Sequence, residues 1–423
     1  MKTVSKPKGW QTKRFRELFR VKHGYAFKSE HFTTSGDYIL LTPGNFNDEG
    51  GFKLKGEKEK FYVGPIPRAF VLKRSDLLVA MTEQAEGLLG SSLIVPESNR
   101  FLHNQRLGLV TDIRVDAIDK HFLYYLFNSR GVRNQIRASA SGVKIRHTSP
   151  ERIGEVEVTI PPVPAQKKIA GILSAYDDLI ENNTWRIQIL EQMAQSIYRE
   201  WFVHFRFPGH AQVKLIASPL GKIPQEWQPA VFTDIANILS GGTPSTRVAE
   251  YWDGDIPWFT PRDAAGSFYV TETEKHITQT GVNNCASEIY PKDTIFITAR
   301  GTVGKLALAA VPMAVNQSCY AVQGKPGYGP RFVFLALCVR VDYLKKNTGG
   351  ATFSTIITDT FKRMSILKPP PSLAHDFEIM VEPFFERIRL LHLQNANLRR
   401  TRDLLLPRLI SGELSVENMW GNT

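Results

Sequence analysis

Apolar positions recur in two long stretches at alternating steps of four and three. The first runs through Ile169, Leu173, Tyr176, Ile180, Asn183, Ile187, Leu190, Ala194, Ile197 and Trp201. The second runs through Phe377, Val381, Phe384, Ile388, Leu391, Asn395, Leu398, Arg402, Leu405 and Leu409, each position 208 residues after its counterpart. A 3.5-residue period sustained over more than four heptads predicts two helices with coiled-coil seams. At 1.5 Å per residue the first spans about 50 Å, more than an amphipathic helix lying on its own domain needs. Pro383 breaks the second pattern, because a proline inside a helix removes a backbone bond, so this helix is expected to kink there or to begin there. Each seam holds one asparagine. In an antiparallel pair the facing position numbers add to a constant, and both the midpoints of the two repeats and the asparagines give 578. An unpaired amide in an apolar seam is penalised by roughly 1–3 kcal/mol. The expectation is therefore an antiparallel pair with Asn183 facing Asn395.

The repetition extends beyond the helices. Trp10 has a counterpart in Trp227, Leu41-Thr42-Pro43 in Phe259-Thr260-Pro261, and Asn104-Gln105 in Asn316-Gln317, at offsets of 217, 218 and 212. From Gly142 onward the offset is a constant 208. Each half ends in an alternating run (Val156, Val158, Ile160; Met364, Ile366) that reads as a strand, followed by a proline cluster that reads as a linker. Short apolar runs at Asp76–Met81, Ser92–Val95, Leu107–Val110, Thr294–Thr298 and Ala307–Val311 read as strands, and Lys120–Ser129 and Arg331–Leu344 as helices. The predicted fold class is α+β: two mixed α/β domains separated by two long helices that form an antiparallel coiled coil, with a pseudo-two-fold internal repeat. The boundaries are a first domain at 8–160, a central helix at 161–212, a second domain at 213–368 and a distal helix at 369–414.

Composition sharpens this picture. The chain has 423 residues, enough for several domains, and its 42% hydrophobic content describes packed structure. No run is long and apolar enough for a membrane span or a signal peptide. The three cysteines lie far apart with no CxxC pair, which fits a reducing cytoplasm and excludes a disulfide framework or a zinc cluster. The net charge of +12 is uneven: residues 1–155 carry +10 and 213–367 carry +3, whereas 156–212 and 368–423 carry −1 and 0. The two globular blocks are basic and the helical blocks are not, as expected if the globular pieces meet a polyanion.

Catalytic chemistry has no visible carrier. Arg300-Gly301-Thr302-Val303-Gly304-Lys305 lacks the spacing and the hydroxyl of a phosphate-binding loop, and no E-x-K nuclease element or H-E-x-x-H occurs. The N/D-P-P-aromatic motif of amino-methyltransferases is also missing. The ten histidines are scattered, His147 and His276 among them. What remains are polar loops whose side chains suit nucleic acid, with Arg and Lys for guanine, Asn and Gln for adenine, and Gly where backbone approaches phosphate. In the first block these loops carry Thr42, Asn45, Gln84, Gln105, Arg106, Lys144 and Arg146. In the second they carry Thr243, Arg262, Arg300, Thr302, Lys305, Gln317, Thr352 and Ser354.

The motifs converge on one family. A Gly9-Trp10 and Glu226-Trp227 opening begins each half, Pro161 to Gln166 follow P-P-x-x-x-Q into the central helix, Trp201-Phe202-Val203-His204-Phe205 follows it, and Leu405 to Leu414 close the distal helix. With this order of parts the chain resembles the specificity subunits of type I restriction-modification enzymes over nearly its full length. The resemblance implies a cytoplasmic, non-catalytic subunit with two target-recognition domains, each reading one half of a bipartite site in double-stranded DNA. It implies that the helices set the half-site spacing and carry two methyltransferase subunits, with restriction subunits outside them. S-adenosylmethionine, ATP and Mg belong to those partners, and this chain binds no cofactor or metal. The competing readings are a stand-alone modification enzyme, which the missing motifs disfavour, and a coiled-coil adaptor. The adaptor is either one without DNA, which the basic blocks disfavour, or a DNA-binding one from another phage-defence system.

Overall fold

A computed structural model of the chain describes residues 9–83, 87–142, 145–218, 221–264, 266–347 and 355–416. It divides into two compact units, one of residues 1–178 with 399–423 and the other of residues 179–398. No described helix is long and apolar enough to cross a membrane.

The first unit is built on an antiparallel sheet in the order Arg20–His23, Leu107–Thr111, Leu77–Ala80, Ser92–Ile94. Its strand Leu77-Leu78-Val79-Ala80 is buried along its whole length because both faces are covered. Leu77 and Val79 join Phe15, Phe122 and Phe127 on one side, while Leu78 and Ala80 join Ile39, Phe46 and Phe101 on the other. A smaller sheet places Phe61–Tyr62 beside Tyr38–Leu40, which runs parallel to Phe101–Leu102. The helix Lys120–Asn128 opens on Asp119, whose carboxylate accepts from the backbone N–H of Phe122 at 2.9 Å.

The second unit repeats this plan with different side chains. Its main sheet runs Ala236–Ser240, Cys319–Gly324, Ile295–Thr298, Leu306–Ala309, with Tyr269–Val270 added at the edge. Ile295 and Ile297 face one cluster and Phe296 the other. The smaller sheet again sets an antiparallel strand, His276–Ile277, beside Trp252–Phe259, which pairs in parallel with Ala314–Val315. In both units the strand that follows the opening tryptophan pairs with the last strand before the proline cluster. These pairs are Gln11–Arg14 with Glu157–Ile160, and Gln228–Val231 with Ser365–Lys368. The strands and helices expected from sequence are present, with ends that differ by a few residues.

The two long helices are Val163–Tyr198, continued by a π-helical turn at Arg199–Val203, and Pro371–Ser411. Within the second unit Asn183 Nδ2 donates to Asn395 Oδ1 at 3.0 Å, and the rings of Trp201 and Phe377 lie 5.6 Å apart. Ile187, Ala194, Ile388 and Leu391 are buried in the same cluster, with Leu190, Ile197 and Phe384 packed against it. Within the first unit Ile169 and Leu173 share a cluster with Leu405 and Leu409, and Asp177 accepts from Arg402 at 2.6 Å. The facing pairs follow the antiparallel register that the asparagines predict. Ile180 is buried beside this layer, its carbonyl accepting from Asn395 Nδ2 at 3.3 Å.

Two details differ from expectation. Of the two outcomes expected at Pro383, a start is excluded: the distal helix runs through it. Pro383 lies on the exposed face, where the carbonyl of exposed Ile379, one turn back, loses its helical donor and can be hydrated. The fully buried aromatic is Phe385 rather than its seam neighbour Phe384, and it packs on Phe268 and Phe334 of the globular part. Helix entry is fixed by Gln166, which is fully buried and accepts from Asp119 N–H at 2.8 Å while donating to the carbonyls of Ala117 and Pro161. The exit is fixed by Gly412, whose positive φ of 76° suits a residue without Cβ at a helix C-terminus.

Candidate nucleic-acid interface

In both units the first strand of the smaller sheet that matches between them ends in a Thr-Pro-x-Asx turn. Thr42 donates its backbone N–H (3.0 Å) and its hydroxyl (3.1 Å) to Asn45 Oδ1, and Thr260 donates the same two groups to Asp263 Oδ2, both at 2.7 Å. Asn45 is fully buried, and its Nδ2 donates to the Lys53 carbonyl and the Glu59 carboxylate. This corrects one expectation: Asn45 is spent on holding its loop and presents no free amide to a ligand. Lys55 donates to Thr42 Oγ1 at 3.2 Å, and burial lowers its pKa against the opposing pull of Glu59. In the second unit Arg262, the variable residue within this turn, is exposed and lies 3.5 Å from Glu274.

A second turn is also built twice. Asn104 Oδ1 accepts from Arg106 N–H at 2.9 Å, and Asn316 Oδ1 accepts from Ser318 N–H at 2.7 Å. The carbonyls of the two asparagines accept from Leu107 N–H and Cys319 N–H, each at 3.0 Å. Gly24 and Gly241 press against these turns so closely that a Cβ on either would sit 2.0 or 2.2 Å from the asparagine carbonyl oxygen. Gln105, Arg106 and Gln317 are exposed on the two turns. Beneath the first turn His103 is fully buried, with Nε2 at 2.9 Å from the Leu107 carbonyl and Nδ1 without a partner, and burial pushes its pKa down to about 4. Cys319 below the second turn is buried, and its thiol is pushed up to about 12 by burial and then by Asp263.

A hairpin runs beside each turn. Met81 N–H donates to the Arg106 carbonyl at 3.0 Å and Ala299 N–H to the Ser318 carbonyl at 2.8 Å. The carbonyls of Met81 and Ala299 in turn accept from Thr148 (2.9 Å) and Ile356 (3.0 Å). In the first unit this places Arg146, exposed, opposite Glu83, and His147 Nδ1 at 3.2 Å from Thr82 Oγ1. In the second unit it places exposed Arg300, Thr302 and Lys305 on the same rim as Gln317 and Thr243, whose hydroxyl donates to Gln317 Oε1. Lys305 reaches across to the Ala264 carbonyl at 3.1 Å, which ties the hairpin to the Thr260 turn. The structure thus brings together Thr243, Arg262, Arg300, Thr302, Lys305 and Gln317 in one unit, and Thr42, Gln105, Arg106 and Arg146 on connected loops of the other. Gln84, Lys144, Thr352 and Ser354 lie outside the described residues.

Arg133 was not anticipated. Its guanidinium donates to the carbonyls of Leu89, Asp48 and Gly87, closing the loops of the first unit. Only its amphipathic position on Arg130–Ala138 signals it in the sequence. Among the described residues no group of His, Cys, Asp and Glu could hold a metal ion. The rim consists of amide, hydroxyl and guanidinium groups on rigid turns, equipment for hydrogen bonding to phosphates and base edges.

The family model described as "Type I restriction modification DNA specificity domain" matches residues 7–192 and again 224–395. Among similar proteins, the specificity subunit of the type I restriction enzyme MjaIX from Methanocaldococcus jannaschii is 34% identical over 185 residues, 43% of each chain. The HindI specificity subunit from Haemophilus influenzae is 25% identical over 368 residues, 72% of this chain and 80% of that one. In fold the chain is similar to the crystal structure of the S subunit of a type I restriction-modification system from M. genitalium. The TM-score is 0.59 at 16% identity, covering 96% of this chain and 97% of the other.

Proposed function

The chain belongs to the family of type I restriction-modification DNA specificity proteins, and from that premise we propose that each of its two units reads one half of a bipartite site in double-stranded DNA. The observation that carries this reading is the pair of matching rims. Two units of one topology present amide, hydroxyl and guanidinium groups on equivalent turns, with different residues on the remaining loops. Unlike loops on a common frame suit two unlike half-sites, and the basic excess of the globular blocks supplies attraction to phosphate.

The helix pair sets the spacing of the half-sites and carries two methyltransferase subunits, with restriction subunits beyond them. Exposed Leu179, Trp185, Ile189 and Met193 on the central helix, and Ile379, Met380, Leu390 and Leu404 on the distal helix, support a docking role, since apolar side chains gathered on exposed faces favour partners. The chain itself is non-catalytic and binds no cofactor. S-adenosylmethionine belongs to the methyltransferase subunits, ATP and Mg to the restriction subunits, and the complex works in the cytoplasm. Methylome sequencing of cells with and without the gene tests this: a bipartite methylated motif should vanish with the gene. The isolated chain should transfer no methyl group, and turnover by the purified chain alone at or above stoichiometry refutes the proposal.

A further inference from the structure

Part of the interface is built twice and part only once. The turns Asn104–Arg106 and Asn316–Ser318 have the same closing bond, the same asparagine side chain accepting from the residue two further on, the same bond from the neighbouring hairpin and the same glycine pressed against the asparagine carbonyl. Each asparagine side-chain oxygen is consumed within its turn. The residue after it, Gln105 or Gln317, is held on the exposed apex by a backbone that these contacts fix.

Around the turns the two units diverge. Gly24 is followed by Tyr25, whereas Gly241 is followed by Gly242 and Thr243. The hairpin of the first unit leads into Glu83, which is buried and accepts from the N–H groups of Gly87 (3.2 Å) and Leu89 (2.8 Å). The hairpin of the second leads into exposed Arg300. After the glutamine comes Arg106 in one unit and Ser318 in the other, so the repeated element is the carboxamide and not a charge.

A part that is the same in both units makes the same contact with both half-sites, whatever their bases. The difference between the half-sites must be read by the parts that differ. We infer that Gln105 and Gln317 are the sequence-independent anchors of the two units, each donating its side-chain N–H to a phosphate oxygen and so seating its unit for the unlike loops to meet base edges. In the second unit Thr243 Oγ1 donates to Gln317 Oε1, which turns the amide oxygen inward and leaves the NH₂ group as the outward donor. This inference rests on the reading that each unit recognises one half-site.

The test uses the full chain co-expressed with the methyltransferase subunit of its own system, with Gln105→Ala and Gln317→Ala made singly. Two quantities are measured: affinity for cognate and unrelated duplexes over a range of salt, and the methylated motif in cells. Each alanine variant should weaken binding to both duplexes by the same factor, about 10- to 100-fold for one hydrogen bond from a neutral donor to a charged phosphate oxygen, with the motif unchanged. The salt slope should also stay the same, because an uncharged donor releases no counterion. Gln105→Lys and Gln317→Lys should tighten binding to every sequence and steepen the salt slope by about one. A motif relaxed in one half, or cognate binding weakened while unrelated binding is not, would assign the glutamines to base reading and overturn the inference while the two-half-site reading stands. Unchanged affinity for both duplexes, in variants with unchanged thermal midpoints, would overturn it equally. A wild-type complex that methylates no bipartite motif would remove both.

Discussion

The buried amide pair between the helices allows a quantitative prediction. Asn183 and Asn395 are 3% and 2% exposed, and among the described residues the donor to Asn395 Oδ1 is Asn183 Nδ2 at 3.0 Å. Asn183→Leu takes that donor away and leaves a buried acceptor unpaired, at a cost of about 1–3 kcal/mol. Asn395→Leu costs less, because Asn183 Nδ2 keeps its second partner, Gln394 Oε1 at 3.3 Å. The double variant leaves no orphaned amide and adds two apolar side chains to an apolar seam, so it should return to within about 1 kcal/mol of wild type or exceed it. The cycle should therefore show a favourable interaction of about 1–3 kcal/mol between the two leucines. Urea unfolding of the four full-length proteins, followed by helical circular dichroism at constant m, measures it. In cells, either single variant should blur the spacing between the methylated half-sites more than it lowers the extent of methylation. Additive losses in urea would refute the argument, since they would mean that the two amides do not depend on one another.

Two further perturbations follow from other buried polar groups. Arg331, whose side chain is 8% exposed, faces Glu378 at 2.8 Å, Glu382 at 3.3 Å, and Asp293 and Glu386 at 3.8 Å. Arg331→Met takes the guanidinium from Glu378 and Glu382, leaves Asp293 and Glu386 to Lys292 and Arg389, and should destabilise the second unit by about 3–5 kcal/mol at neutral pH. Urea unfolding at neutral pH measures the loss, and a cost below about 1 kcal/mol would contradict this pairing. His103 is buried neutral with its pKa near 4, against 6.5 when unfolded, so the unfolded chain binds the extra proton between these values. Stability of the first unit should fall as pH drops from about 6.5 to about 4, by up to about 1.4 kcal/mol per pH unit. His103→Leu should flatten that slope, and an unchanged slope would contradict the assignment.

The parts of the fold that could be read in the sequence are those written in periodic apolar positions. The seam from Ile169 to Trp201 is legible because a heptad period repeats its evidence at every turn, and the register is legible because each seam carries one asparagine. Strands such as Leu77–Ala80 and Ile295–Thr298 announce themselves as short apolar runs, although only the structure shows that they are covered on both faces. What the sequence hid depends on distant partners. Asn45 looked like a surface amide because Glu59, its partner from fourteen residues further along, marks no motif. Phe384 occupied the heptad position while adjacent Phe385 took the deeper site, because the globular part of its unit packs against that side of the helix. The close approach of Gly24 to Asn104 joins strands eighty residues apart, a distance over which local pattern is silent.

One feature of the chain's connectivity reaches into its biogenesis. The first unit is discontinuous: residues 399–423 belong to it, and Leu409 and Val416 are buried in its core, while everything from 179 to 398 belongs to the other. On the ribosome the domain encoded first must therefore wait, its core open beside Leu173, until residues some two hundred codons downstream of that position have been made. The domain encoded second has its complete set of residues earlier. A nonsense codon near residue 400 would then damage the unit encoded first rather than the one translated just before the stop, which has all of its residues.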